Sequence, residues 1–254
     1  MQDRLTTQPP EAPRAAGAPS GMAVRSLARE VVERLSRAHS GQLSPEAVED
    51  GEVARFCAAL TGSDPDLAER LARAALSEGR SFDALCETRF APAARRLGTL
   101  WEADALSFAE VTLAANRLFG LLRALAHRPT PRADSPFAVF AAPPGEAHVL
   151  GVTMAAERAR GLGWEVLLVV GTDHDSAVAR ITAARPDVVG LSLSGRRSLL
   201  PLTRLVVALR VTVPTCPIVL SGPGVPEVNE PLPGVDVMTP GFDAAMAAMA
   251  RLAG

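Results

Sequence analysis

The chain has four histidines, and one sits among neighbours that could make it a ligand: Gly145-Glu146-Ala147-His148-Val149-Leu150-Gly151. An imidazole can bind a metal through one ring nitrogen while a carboxylate or carbonyl holds the other and fixes the tautomer. Glu146, two residues from His148, is placed to supply that hold. The cysteines do not extend this into an ordinary metal site. Cys57, Cys86 and Cys216 are odd in number and far apart, with no Cys-x-x-Cys or Cys/His pairing, so no zinc site is expected. A single histidine is enough only for a metal already held by a macrocycle, as in haem or a corrinoid. Two further stretches, Ser192-Leu193-Ser194-Gly195 and Ser221-Gly222-Pro223-Gly224, are made of small and polar residues that let a ligand approach the backbone closely. The first is not a hydrolase nucleophile elbow. Gly190-Leu191-Ser192-Leu193-Ser194 lacks the closing glycine, and no histidine follows residue 174 to serve as base.

These three stretches must be brought together by the elements around them. Residues 1–21, rich in Pro, Ala, Gly and Gln and without periodicity, are expected to be a disordered tail. Residues 22–127 show helical patterns and no convincing strand. Val24, Leu27, Val31 and Leu35 share one helix face, and Ser44-Pro45-Glu46 opens a second helix. Asp64-Pro65-Asp66 opens a third that stops at Glu78-Gly79-Arg80. Ser81-Phe82-Asp83 begins a fourth running to about Trp101, and the capping box of Ser107 and Glu110 begins a fifth running to about His127. Short loops between such helices predict a bundle. The three prolines of residues 128–136 mark a linker.

Beyond the linker, strands and helices alternate. Strands are expected at Phe137–Ala142, Trp164–Val170, Asp187–Ser192, Pro217–Leu220 and Val235–Met238. Helices are expected at Val152–Leu162, Asp173–Ala184 with Thr172 as N-cap, Leu199–Val211 and Phe242–Leu252. Such alternation predicts an α/β, flavodoxin-like (Rossmann-like) sheet of five parallel strands over residues 137–254, in the order 2-1-3-4-5. In that order the ligand crevice lies at the carboxyl ends of strands 1 and 3, where the histidine loop and the two small-residue loops fall.

Composition narrows the class. A net charge of −2 gives no basic field for nucleic acid, and aromatics are scarce, with two Trp, eight Phe and no Tyr. No recognition-helix motif is visible. No apolar run approaches the length of a membrane span and no secretion signal is seen, so a cytoplasmic protein with reduced thiols is expected.

The Glu-x-His-x-x-Gly of residues 146–151 resembles the Asp-x-His-x-x-Gly motif of the cobalamin-binding, methionine-synthase-like domain. The resemblance continues in register: Ser192-Leu193-Ser194 stands where that family has Ser-x-Leu, and Ser221-Gly222 where it has Gly-Gly. It covers residues 137–254 and departs at Glu146 for Asp, Ser194 for Leu and Ser221 for Gly. It implies that His148 is the lower axial ligand to cobalt, oriented by Glu146. It also implies that Gly151, Ser192, Ser194, Ser221 and Gly222 line a slot for the displaced nucleotide tail. The upstream helices resemble the helical cap found before such domains, and Leu97-Gly98-Thr99-Leu100-Trp101 matches its Leu-Gly-x-x-Trp. The cap implies Trp101 over the upper face of the corrin, although without the resemblance Trp101 reads better as bundle core.

The pattern Asp104, Phe108, Val111-Thr112 and Arg117-Leu118 is similar to the AerR/PpaA group of photosynthesis-gene regulators and to the haem-or-cobalamin sensor domain of AppA. The resemblance implies a non-enzymatic, light- or redox-responsive antirepressor that binds adenosyl- or hydroxocobalamin and acts on a PpsR/CrtJ-like repressor. Haem remains an alternative cofactor, a methyltransferase's corrinoid carrier an alternative role, and a homodimer is compatible with the pattern. Of the other candidates, His174 reads as an ordinary residue at a helix N-terminus. His39 and His127 stand near helix ends, and Arg196 and Arg197 are either solvated charge or contacts to cofactor or partner.

Overall fold

The computed structural model describes residues 51–228 and 230–254. The expected tail at 1–21, the helix on Val24–Leu35 and the one opened by Ser44-Pro45-Glu46 lie outside the described residues.

The described chain begins with α1 (Gly51–Thr61), α2 (Leu67–Ser77) and α3 (Phe82–Leu85). A π-turn at Cys86–Phe90 follows, then α4 (Ala91–Glu102) and α5 (Phe108–Leu125). The fourth helix is therefore not the single regular helix that periodicity predicts. At the π-turn the N–H of Ala91 reaches the carbonyl of Cys86, and one extra residue is accommodated. The turn carries Arg89, buried, whose guanidinium donates to the Leu71 carbonyl and to Glu52, each at 3.0 Å. The capping box forms as the sequence requires. The Ser107 hydroxyl accepts from the Glu110 N–H at 3.2 Å, and the Glu110 carboxylate accepts from the Ser107 N–H at 2.8 Å. The bundle core is Phe56, Leu60, Leu85, Phe90, Leu118 and Leu122, with the Phe56 and Phe90 rings stacked at 5.6 Å.

Next come β1 (Phe137–Ala141), α6 (Leu150–Gly161), β2 (Glu165–Val169), α7 (His174–Ala184) and β3 (Val188–Ser192). The chain ends with α8 (Leu199–Thr212), β4 (Ile218–Ser221), β5 (Val237–Thr239) and α9 (Phe242–Ala253). The sheet is parallel throughout, in the order β2-β1-β3-β4-β5, as the alternation predicts. Strand residues alternate between two cores. Val139, Ala141, Val189, Leu191, Ile218 and Leu220 face α7 and α8, whereas Ala138, Phe140, Val188 and Val219 face α6 and α9. Boundaries in this half move by one or two residues, by two at the last strand, which starts at Val237 rather than Val235, and at α6, which starts at Leu150 rather than Val152. Thr172 is not the N-cap of α7. Asp173 is, in an extended conformation, with its carboxylate accepting from the Ser176 N–H at 2.9 Å. An anion at a helix N-terminus is the stronger acceptor there.

α6 belongs to both cores. Leu150 and Met154 pack against the bundle, while Val152, Ala156 and Ala159 pack under the sheet. Arg158 on the same helix is only 8% exposed in its side chain. It donates to Asp83 at 2.8 Å and Glu87 at 2.7 Å in the bundle, reaches Asp243 of α9 at 3.4 Å, and lies 3.8 Å above the Phe242 ring. The linker is tied in similarly: Arg128 makes a bidentate pair with the buried Glu157, at 2.8 and 2.7 Å.

Candidate functional site

Three loops meet at the carboxyl edge of the sheet. After β1 the chain turns through Gly145, whose φ of +79° favours glycine, and presents Glu146 inward and His148 outward. The Glu146 side chain is 5% exposed and that of His148 84%. One carboxylate oxygen of Glu146 accepts from the His148 backbone N–H at 2.7 Å and meets its Nδ1 at 2.9 Å. The other accepts from the hydroxyls of Ser194 and Ser198. A carboxylate facing Nδ1 requires the proton there, so the Nε2 lone pair points outward, free to bind a metal.

Burial pushes the Glu146 carboxyl up. The hydrogen bonds from Ser194, Ser198 and the backbone and ring of His148 outweigh it and hold the carboxyl at about 2. A carboxyl depressed in the folded state contributes stability that is present above its ordinary value and lost as pH falls through the depressed one. The grip on His148 is therefore complete at neutral pH and gives way only as pH falls toward 2. Replacing Ser194 and Ser198 together by alanine removes two donors. It should raise the carboxyl titration toward the ordinary range, read by carboxyl carbon NMR. An unmoved titration would show that the two hydroxyls do not hold this carboxylate.

Ser198 was not singled out from sequence. A serine just before a helix reads as an N-cap, but this one makes no cap bond to α8 and turns to Glu146 instead. Ser194 is drawn the same way, so its hydroxyl is engaged with the carboxylate rather than lining an open wall.

The loops after β3 and β4 are locked to each other. Leu193 N–H donates to the Ser221 carbonyl at 2.8 Å, and Gly224 N–H to the Leu193 carbonyl at 2.9 Å. Gly222 has φ +122°, and a Cβ there would lie 2.5 Å from the Leu193 carbonyl oxygen. Gly222→Ala should therefore destabilise the protein by about 2 kcal/mol, combining backbone strain with loop displacement, as measured by urea unfolding. An unchanged midpoint would mean the loop yields freely. Ser192 and Ser221 lie side by side at the strand ends, both half-buried. Gly151 is exposed on the first turn of α6, with open space where a side chain would go. Trp101 is 46% exposed in the last turn of α4 and is not part of the bundle core. His174 is half-buried at the start of α7, and His127, Arg196 and Arg197 are exposed. His39 lies outside the described residues. None of the described residues form a group of three or more His, Cys, Asp and Glu able to hold a bare ion. A single exposed imidazole with its Nδ1 held by Glu146 fits a metal that brings its own ring.

A helical bundle followed by a parallel sheet in the order β2-β1-β3-β4-β5, with one carboxylate-held imidazole at its carboxyl edge, defines the class: a Rossmann-like α/β domain behind a helical cap. Comparison with known families specifies which. Residues 137–249 and residues 52–126 each match a family model described as the B12 binding domain, and the chain belongs to the B12-binding-domain proteins. It is 38% identical over 87 residues to an uncharacterized 20.5 kDa protein of the bchF-crtJ intergenic region of Rhodobacter capsulatus. The match takes in 32% of this chain and 45% of that one, so the chain spans under half of that relative's length. The monomethylamine corrinoid protein of Methanosarcina barkeri has the same fold. Its TM-score is 0.61 at 15% identity, covering 79% of this chain and 98% of that one. Among the described residues no helix is long and apolar enough to cross a membrane.

Proposed function

We propose that the chain is a cobalamin-responsive regulator without a catalytic step of its own, in which His148 Nε2 is the lower ligand to cobalt. The observation that carries the ligand assignment is the Glu146–His148 pair, with Nδ1 held and Nε2 free. Cobalamin, when bound, supplies a cobalt centre whose upper ligand can change with light or redox state. Glu146 keeps the imidazole in one tautomer and orientation. Ser192 and Ser221 at the strand ends, with Gly151 on the first turn of α6, are the small residues left to flank the nucleotide tail, because Gly222 is pressed on Leu193 and Ser194 on Glu146. Trp101, exposed on the cap, is the residue assigned to the upper face.

The regulatory role, as an antirepressor acting on a CrtJ-like repressor, is supported by the relative from the bchF-crtJ region. A ligand-dependent shift between two cap arrangements would alter affinity for that repressor. The fold shared with a corrinoid protein supports a second reading, a carrier serving a methyltransferase.

The test is to mix the purified chain with hydroxo- and adenosylcobalamin, desalt it, and record spectra before and after illumination. Repressor–DNA binding is then measured with each form. Retained cobalamin with a nitrogen-ligand spectrum and a light-dependent effect on the repressor is the expected result. Free-cobalamin spectra and no retention would overturn cofactor binding. A His148-dependent Soret band with added haem would move the assignment to haem, and methyl transfer with an added methyltransferase would move the role to carrier.

A further inference from the structure

We infer that the outward face of α8 is a docking surface for an acidic amphipathic helix of a partner protein. The surface does not depend on the cofactor assignment. Its inner face, Leu202, Leu205, Val206 and Leu209, is fully buried against the sheet. The opposite face is exposed, yet it is not the polar face a solvated helix would carry. Leu200 is 62% exposed, Val207 58% and Val211 78%. With Arg204, and Arg197 of the preceding turn, they form the series 197, 200, 204, 207, 211, all exposed. The steps of three and four residues are those of a helix–helix seam. Beside the seam runs a shallow groove between α7 and α8, lined by Val178, Ala179, Ala208 and Thr212 and, at the start of α7, by His174 and Asp175, into which flanking side chains of a docked helix would fit.

Charge selects the occupant. α8 contains no acidic residue. Its other arginine, Arg210, is engaged with Asp236 and with the carbonyls of Gly234 and Cys216. Arg197 and Arg204 make no ion pair among the described residues. These two guanidinium groups, at the first and middle positions of the seam and without an ion pair among the described residues, call for two carboxylates at matching positions on the partner. A second copy fits poorly. Parallel pairing sets Arg197 on Arg197 and Arg204 on Arg204. Antiparallel pairing about the centre sets Arg204 on Arg204 and leaves Arg197 against Val211. Both bury like charge.

The experiment uses the full chain and two synthetic amphipathic helical peptides, cross-linked to hold the helix. Both carry leucine at three seam positions. One has glutamate and its twin lysine at the two positions that face Arg197 and Arg204. The glutamate peptide should bind about tenfold or more tightly than the lysine twin at low salt, the gap closing as salt is added. The charge reversal R197E/R204E should invert the preference, and Val207→Asp should weaken both peptides. Circular dichroism of each variant confirms the fold. Binding of neither peptide, or a preference that R197E/R204E leaves unchanged, overturns the proposal. So does a concentration-dependent dimer abolished by Val207→Asp, which assigns the face to a second copy. Co-sedimentation with phosphatidylserine vesicles in preference to the glutamate peptide assigns it to a membrane and likewise overturns the proposal.

Discussion

His148→Ala should leave the fold intact and abolish the nitrogen-ligand spectrum of bound cobalamin. The side chain is 84% exposed and its ring pairs with Glu146, so its loss should change stability by less than about 0.5 kcal/mol. Its loss as the proposed ligand is another matter. Removing a residue that merely orients a metal ligand costs roughly 10- to 100-fold in affinity, and removing the ligand itself should reach the upper end of that range or exceed it. Glu146→Gln should fall between wild type and His148→Ala. The amide can accept from Nδ1–H but can also present its NH2 group, so the tautomer is no longer fixed and the anionic partner of His148 is lost. Titration of each variant with hydroxocobalamin, followed by absorbance, separates the three. Free imidazole should restore the nitrogen-ligand spectrum in His148→Ala by filling the place of the side chain. A wild-type spectrum in His148→Ala would remove His148 from the lower position.

The legible part of this protein was set by local pattern. The switch from helical spacing to alternating strands and helices after Pro136 predicts the sheet order, because right-handed crossovers leave few alternatives. The Glu146–His148 pair was legible for the same reason, since two residues in one turn need no tertiary information to meet. The remaining partners of Glu146 were not. Ser194 and Ser198 arrive from another loop, and nothing in their immediate sequence says that their hydroxyls turn to a carboxylate. Gly222 shows the converse. A glycine in a loop at the ligand edge reads as room for a ligand, whereas here its missing side chain makes room for the Leu193 carbonyl. Arg158 was also hidden. On the helix Leu150–Gly161 it reads as a basic residue in the last turn, where a cation suits the dipole, and only the packing of three other elements shows that it is buried.

That burial leads to the second large expectation: removing the carboxylates around Arg158 should cost more stability than removing the arginine. The guanidinium is 8% exposed, so its charge has lost most of its water and depends on Asp83, Glu87, Asp243 and the Phe242 ring. In Asp83→Asn with Glu87→Gln the charge stays buried and faces only Asp243, at 3.4 Å and itself 85% exposed. An uncompensated buried charge of this kind costs about 3 kcal/mol. In Arg158→Met the buried charge goes and a side chain of similar length stays on Phe242. The carboxylates left behind, 42% and 55% exposed at Asp83 and Glu87, return to water, so the cost should be only about 1 kcal/mol. Urea unfolding of the two variants gives the order directly. Hydrogen exchange should show the loosening in residues 82–125, because Arg158 is the ionic tie between the bundle and the helix that also carries the His148 loop at its N-terminal end. If Arg158→Met is the more damaging change, packing on Phe242 rather than charge holds the cap to α6. A cap response to the state of the metal site would then have to travel through the apolar contacts of Leu150 and Met154.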